Sequence, residues 1–305
     1  MTTSRPDQLV DTSGVRTDAI ELDGAQIHYE VRGAGPLVLV IGQPMTSGPF
    51  APLAEQLASD HTVVTYDPRG MGQSTVADPS LAIDPEREAD DLAGVIDACG
   101  GGPADVVGSS GGAVAALALA ARHPERVGTI VAHEPPVTEL LPDAQHVRAV
   151  VDGIEDSFRA GGSGAAWGGF VSLVMHQGEV TADGVPMVAW PPPGQAGPAE
   201  NDGPAEDQAP PAPSAKQQAD DALFFTRMLK PFTRWQPPVD RLRAGTPRIV
   251  IGVGSASGPD VAARSARALA AQLGVAPEVF PGDHGGFMAD PAGFADAVRR
   301  VLAPR

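Results

Sequence analysis

The sequence predicts an α/β fold in which a mostly parallel central sheet is flanked by helices and carries one helical insertion. Three observations predict it. Short apolar runs rich in Val and Ile recur along the chain, and helix-length patterns separate them. The alternation stops between about residues 135 and 242 and then resumes. The run at 37–41 (LVLVI) is apolar at every position, as a strand buried on both faces is.

Residues 19–22 and 27–31 read as two strands around a turn at Asp23-Gly24. Residues 37–41 and 62–66 (TVVTY) read as buried strands, with a helix over 52–57 between them. The periodicity predicts a helix over 84–98, with Leu92, Val95 and Ile96 on one face, and then a strand over 105–108. A helix of small residues follows over 112–122, with Pro124 just past its end, and then a strand over 127–132. After the interruption come a strand (249–253), a helix (260–273), a short strand (277–280) and a last helix (291–302). Inside the interruption, helical patterns cover 144–159, 166–175 and 219–229. Residues 191–213 hold eight prolines and four acidic residues with almost nothing apolar to bury, so an extended or mobile loop is expected there. The first 16 residues are polar and expected to fray.

The 305 residues carry 21 Lys+Arg against 38 Asp+Glu, a formal charge of −17. That balance argues against nucleic acid or an anionic membrane surface as partner, since both select a basic footprint. Eight of the acidic residues, with a single Lys, fall within 178–221, so much of the charge belongs to the insertion. Cys99 is the single cysteine, which excludes an internal disulfide framework and a thiolate metal cluster; it reads as a core residue at a helix end. No apolar run has membrane-spanning length and no leader-like apolar segment follows Met1, so a cytoplasmic location is the default expectation. The spacings of common metal, dinucleotide and ATP motifs are absent, and neither metal nor cofactor is expected.

Gly108-Ser109-Ser110-Gly111-Gly112 fits G-x-S-x-G between a predicted buried strand and a predicted helix. In that setting a sharp turn would present Ser110, and the Gly111 N–H at the helix start would face a developing oxyanion. A serine hydroxyl needs a neighbouring base. His284, flanked by Asp283 and two glycines after the last predicted strand, is favoured over His28, His61, His123, His133, His146 and His176.

Two further stretches complete a resemblance. Ile41-Gly42-Gln43-Pro44 follows a buried strand, and Tyr66-Asp67-Pro68-Arg69-Gly70-Met71-Gly72-Gln73-Ser74 follows the next. With the Ser110 turn and the His284 loop, in this chain order, they resemble the α/β-hydrolase fold superfamily over about residues 19–134 and 245–305. The resemblance implies a core of 17–134 and 243–305 with a helical cap over 135–242. It implies that Gln43 gives a second oxyanion N–H, with its side-chain amide either facing substrate or in solvent. Ile41 stands where the family usually has His. Asp67 and Arg69 would buttress their loop.

The family's usual acid falls in Gly254-Ser255-Ala256-Ser257-Gly258, where Ser257 takes its place. A Ser cannot stabilise an imidazolium as a carboxylate does. Glu134, directly after the 127–132 strand, is then the expected acid, as in branches such as the haloalkane dehalogenases; Asp260 and Asp283 are the alternatives. Phe224, Phe225, Met228, Phe232 and Trp235 are candidates to line a substrate pocket.

The expected protein is thus a serine hydrolase that cleaves a carboxylic ester or thioester of a small apolar or natural-product-like molecule through an acyl-enzyme. A cofactor-free lyase, cyclase or acyl transferase on a natural-product scaffold is one alternative, and a non-catalytic ligand-binding homologue another. The expected partner is a small-molecule substrate; oligomeric state, a homodimer included, stays open.

Overall fold

Alternation along each apolar run decides which face of the sheet every side chain enters. In chain order the elements are β1 (Arg16–Leu22), β2 (Ala25–Arg32), β3 (Leu37–Gln43), α1 (Ala51–Leu57), β4 (Thr62–Tyr66), β5 (Thr75–Val76), α2 (Pro85–Ala98), β6 (Ala104–Ser110), α3 (Gly111–Arg122) and β7 (Val127–His133). Then come α4 (Ala144–Met175), α5 (Ala215–Leu223), α6 (Leu229–Thr233), α7 (Val239–Arg243), β8 (Arg248–Gly254), α8 (Val261–Leu273), β9 (Glu278–Phe280), α9 (Gly286–Ala289) and α10 (Pro291–Leu302). The structure, a computed structural model, describes residues 14–188, 213–244 and 246–303. The Pro-rich stretch expected to be a loop lies outside them, except for Pro213.

One sheet runs in the order β1-β2-β4-β3-β6-β7-β8-β9, with β5 paired to β2. β1, β2 and β4 pair antiparallel, and from β4 onward every neighbour is parallel. The chain belongs to the mostly parallel class that the alternating pattern predicts. On one face Val38, Val40, Val107, Val131 and Val250 pack with Phe50, Leu53 and Leu57 around α1 and with Phe294 and Val298 of α10. On the other, Leu39, Ile41, Val106, Ile130 and Ile251 join α2, α3 and α8. The same cluster continues through Val147, Ile154, Phe225 and Met228, so the helices inserted between β7 and β8 share the core of the sheet.

α3 (GGAVAALALAAR) is buried from Gly111 to Ala121. Its small side chains let the helix axis sit close to the sheet, and a helix buried all round needs no polar face. Asp84, Asp260 and Asp290 cap α2, α8 and α10 by accepting from the backbone N–H three residues on, with Pro85 and Pro291 in the first turn of two of them.

Several boundaries differ from the sequence expectation for local reasons. β3 and β6 extend to Gln43 and Ser110, because ladder pairing continues after the apolar side chains stop. The predicted helices 144–159 and 166–175 are one run that bends at Gly162 (φ 75°, ψ −167°). The predicted helix 219–229 begins earlier, at Ala215, and opens into a π-helical turn over Phe224–Met228 before α6. β5, α7 and α9, of two, five and four residues, are too short to carry a periodic signal. No helix among the described residues is long and apolar enough to cross a membrane.

Two glycine substitutions should act in opposite directions. A Cβ on Gly112 would lie 2.4 Å from the Ile41 carbonyl oxygen, whereas one on Gly153 of α4 meets nothing within 4 Å. Gly112→Ala should lower stability by about 1–3 kcal/mol through overpacking. Gly153→Ala should raise it by about 0.5–1 kcal/mol through helix propensity. Urea unfolding of the two variants checks both signs.

Candidate active site

β6 ends and α3 begins at Ser110, which holds φ 55° and ψ −125°. A non-glycine residue at positive φ is strained by about 1–3 kcal/mol, and the surrounding turn must enforce it. Close packing does so. Besides the contact of Gly112 with Ile41, a Cβ on Gly111 would stand 2.8 Å from the Gln43 carbonyl oxygen. The start of α3 is therefore seated against the end of β3, and Gln43 pairs in register with Ser110.

Glu134 follows the last residue of β7 and also takes positive φ, 49°. It is fully buried. Its N–H donates to the Gly252 carbonyl at 3.0 Å, and its Oε1 accepts from the Gly254 N–H at 2.9 Å, so β8 fixes both ends of the residue. Its other oxygen, Oε2, lies 2.8 Å from His284 Nδ1. His284 sits in the loop between β9 and α9. Burial alone would raise the Glu134 carboxyl, but the His284 bond and the neighbouring His133 and His284 outweigh it and hold the group down at about 2. His133 lies beneath, fully buried, with its ring centroid 6.4 Å from that of His284. Burial pushes His133 down to about 4, so it is neutral at physiological pH.

Ser110, Gly111, Gln43 and His284 line one cavity. Among the described residues no hydrogen bond joins Ser110 to His284 in this structure; such bonds are often long before substrate arrives. The other carboxylates near His284 are engaged elsewhere. Asp260 caps α8 through the Ala263 N–H at 2.9 Å, and Asp283 accepts from the Gly285 N–H at 2.9 Å. The Ser257 hydroxyl is buried near Glu134 and adds to the downward pull on its carboxyl.

The cavity wall is apolar. Phe224, Met228 and Phe232 line it, spaced by four residues across the π-helical turn. Phe225 and Trp235, expected beside them, do not line it. Phe225 packs on Phe158 and Trp167. Trp235 is buried and donates through Nε1 to Glu86 Oε1 at 2.7 Å. Phe170, Leu173 and Val174 of α4 line the cavity instead. Their i, i+3, i+4 spacing was a visible signal. Pro136, Thr138, Val261 and Ala262 add to the wall, each close in sequence to Glu134 or Asp260.

Beneath the cavity the loop after β4 is tied down as the resemblance implies. Asp67 accepts from the Ser47 and Gln73 N–H groups, and Arg69 binds Asp91 through two nitrogens at 2.8 and 2.5 Å. The Gln43 side chain is buried, with its Nε2 on the Tyr66 hydroxyl and 3.1 Å from Glu88 Oε2. Residues 43, 66 and 88 are distant in sequence, and no spacing announces their meeting. Among the described residues no group of three or more His, Cys, Asp and Glu is placed to hold a metal ion.

Residues 35–221 match the family described as alpha/beta hydrolase fold. That is more than half of the chain, and the protein belongs to this family. A curated relative, the uncharacterized hydrolase YraK of Bacillus subtilis (strain 168), is 39% identical over 128 residues, 42% of this chain and 47% of that protein. The match thus spans about half the relative's length. A thermophilic esterase from Thermogutta terrifontis superposes with a TM-score of 0.63 at 19% identity, over 98% of each chain. Est816, described as an N-acyl homoserine lactone degrading enzyme, gives 0.63 at 20% identity, over 93% of this chain and 100% of its own. At these identities the two structures share the fold.

The depressed Glu134 carboxyl sets a pH dependence of stability. A carboxyl held lower in the folded than in the unfolded chain stabilises above its unfolded value, about 4.5, and that contribution is lost as pH falls toward about 2. Between pH 6 and pH 3 the wild type should lose more stability than Glu134→Gln. Urea midpoints of both proteins at the two pH values measure the difference.

Proposed function

We propose that the protein is a serine hydrolase that cleaves a carboxylic ester or thioester of a small apolar or natural-product-like substrate through an acyl-enzyme. The observation that carries this is the 2.8 Å bond from His284 Nδ1 to the buried, ionised Glu134, at a cavity that Ser110 also lines from its strained turn. With its Nδ1–H donating a hydrogen bond to Glu134, His284 presents an unprotonated Nε2 as the acceptor. Ser110 Oγ attacks the acyl carbonyl and its proton passes to Nε2. The Gly111 and Gln43 N–H groups receive the oxyanion. His284 then protonates the leaving alkoxide or thiolate. Water, deprotonated by the same nitrogen, releases the acid and restores Ser110. In this reading residues 135–242 act as a cap over a core of 17–134 and 243–305, and the apolar side chains of the cap select an apolar substrate.

A fluorophosphonate probe should label the native protein at Ser110 and leave Ser110→Ala unlabelled, as read by peptide mass spectrometry. A folded wild type that resists the probe would argue for the non-hydrolytic or binding-only alternatives. Glu134→Gln should lower kcat on the order of 10³–10⁴-fold, because the imidazole loses its orienting acceptor. Asp260→Asn, which keeps a capping side chain, should leave kcat within about twofold. The reverse pattern would move the acid to Asp260.

A further inference from the structure

β3 ends at Gln43, whose ladder partner there is Ser110. Beyond it Pro44 has no N–H to give, and among the described residues the chain is next hydrogen-bonded at Ser47, to Asp67 Oδ1. The sheet therefore holds the Gln43 backbone on its incoming side only. The side chain supplies the other hold. Its amide is buried, and Nε2 donates to the Tyr66 oxygen and, at 3.1 Å, to Glu88 Oε2. Tyr66 gives its own proton to Glu88 Oε2 at 2.6 Å, and the Arg69 N–H donates to Glu88 Oε1 at 3.3 Å. Glu88, fully buried on α2, thus gathers the end of β3, the end of β4 and the loop after β4. Neither Tyr66 nor Glu88 lines the cavity, but the residue they hold does. Gln43 lines it beside Gly111, and a Cβ on Gly111 would stand 2.8 Å from the Gln43 carbonyl oxygen and 2.9 Å from the Gln43 Cβ. A shift of Gln43 therefore changes its spacing from Gly111.

We infer that Glu88 and Tyr66 are positioning residues for the oxyanion site. Acting through the side-chain amide of Gln43, they set where the Gln43 N–H stands relative to the Gly111 N–H. This rests on the hydrolase reading above, since that reading places the oxyanion between those two groups. Donors aimed at developing charge stabilise it only when they are in place before the reaction, and a displacement of about 1 Å costs on the order of 10²-fold in rate. The hold is strong because its centre is a carboxylate, and hydrogen bonds to an ionised acceptor exceed neutral ones.

The test uses p-nitrophenyl butyrate as substrate and the propyl trifluoromethyl ketone as a transition-state mimic. It is run at pH 8.5, where Glu88, pushed up to about 7 by burial and by the charge of Asp91, is ionised. Ser110 Oγ adds to the ketone carbon, its proton passes to His284 Nε2, and the carbonyl electron pair becomes an oxyanion at the two N–H groups. Glu88→Met and Tyr66→Phe should each lower kcat and kcat/KM together, on the order of 10- to 100-fold, with KM kept within about threefold. The inhibition constant of the ketone should rise by the same factor. Gln43→Met keeps the N–H but has no amide to anchor, so adding Tyr66→Phe to it should lower kcat by no more than about twofold further. With two single variants, a folding failure of one leaves the other to decide. An unchanged kcat in both, or a loss confined to KM, overturns the positioning roles. Fully additive losses overturn the route through Gln43. If the wild type cleaves no ester and takes up no fluorophosphonate, the hydrolase reading fails separately. Amide hydrogen exchange over residues 43–47 then decides the anchoring. It should be about tenfold faster in both variants with exchange in β6 unchanged, and rates equal to the wild type overturn it.

Discussion

Because β3, β6, β7 and β8 are parallel neighbours, they finish on one edge of the sheet, at Gln43, Ser110, His133 and Gly254. Residues from four distant parts of the chain are brought within reach of one another by ladder hydrogen bonds alone, before any side chain is chosen. Ligands of open parallel sheets sit outside the carboxyl ends of the strands for this reason. What the sequence adds is small residues at the crossing points. Glycines at 111 and 112 let the start of α3 touch the end of β3, and the strain at Ser110 is held by that contact.

Two carboxyl groups, Glu134 and Glu88, are both fully buried and move in opposite directions, to about 2 and about 7. Burial pushes both up; the partners decide the outcome. Glu134 has an imidazole on one oxygen and a backbone N–H on the other. Glu88 has a phenol, an amide and a backbone N–H, none of them charged, and the carboxylate of Asp91 nearby. One group is ionised against an imidazole, and the other holds a phenol and an amide.

The sheet was legible because its strands are buried on both faces, and continuous apolar runs such as LVLVI leave little choice of element. Glu134 could be nominated because a residue directly after a parallel strand has its place fixed by the strand. Its pairing with His284 was expected from the resemblance; the distance was not legible, because it depends on the course of the His284 loop, beside which Phe287 packs near Phe294. The cavity wall was half legible. Phe224, Met228 and Phe232 fall on it, while Phe225, one position round the helix, and Trp235, past the end of α6, do not. The Gln43–Tyr66–Glu88 network left no trace in local pattern, since it joins a strand end, the next strand and a helix that have no periodicity in common.

The position of the inserted helices divides the cavity between two parts of the chain. They leave the sheet after β7 and rejoin it at β8, and they supply most of the apolar wall while the polar groups at the cavity floor come from strand ends and the loops beside them. In the proposed hydrolase reading, the groups that would react and the side chains that would set ligand preference therefore come from separate stretches of one shared core.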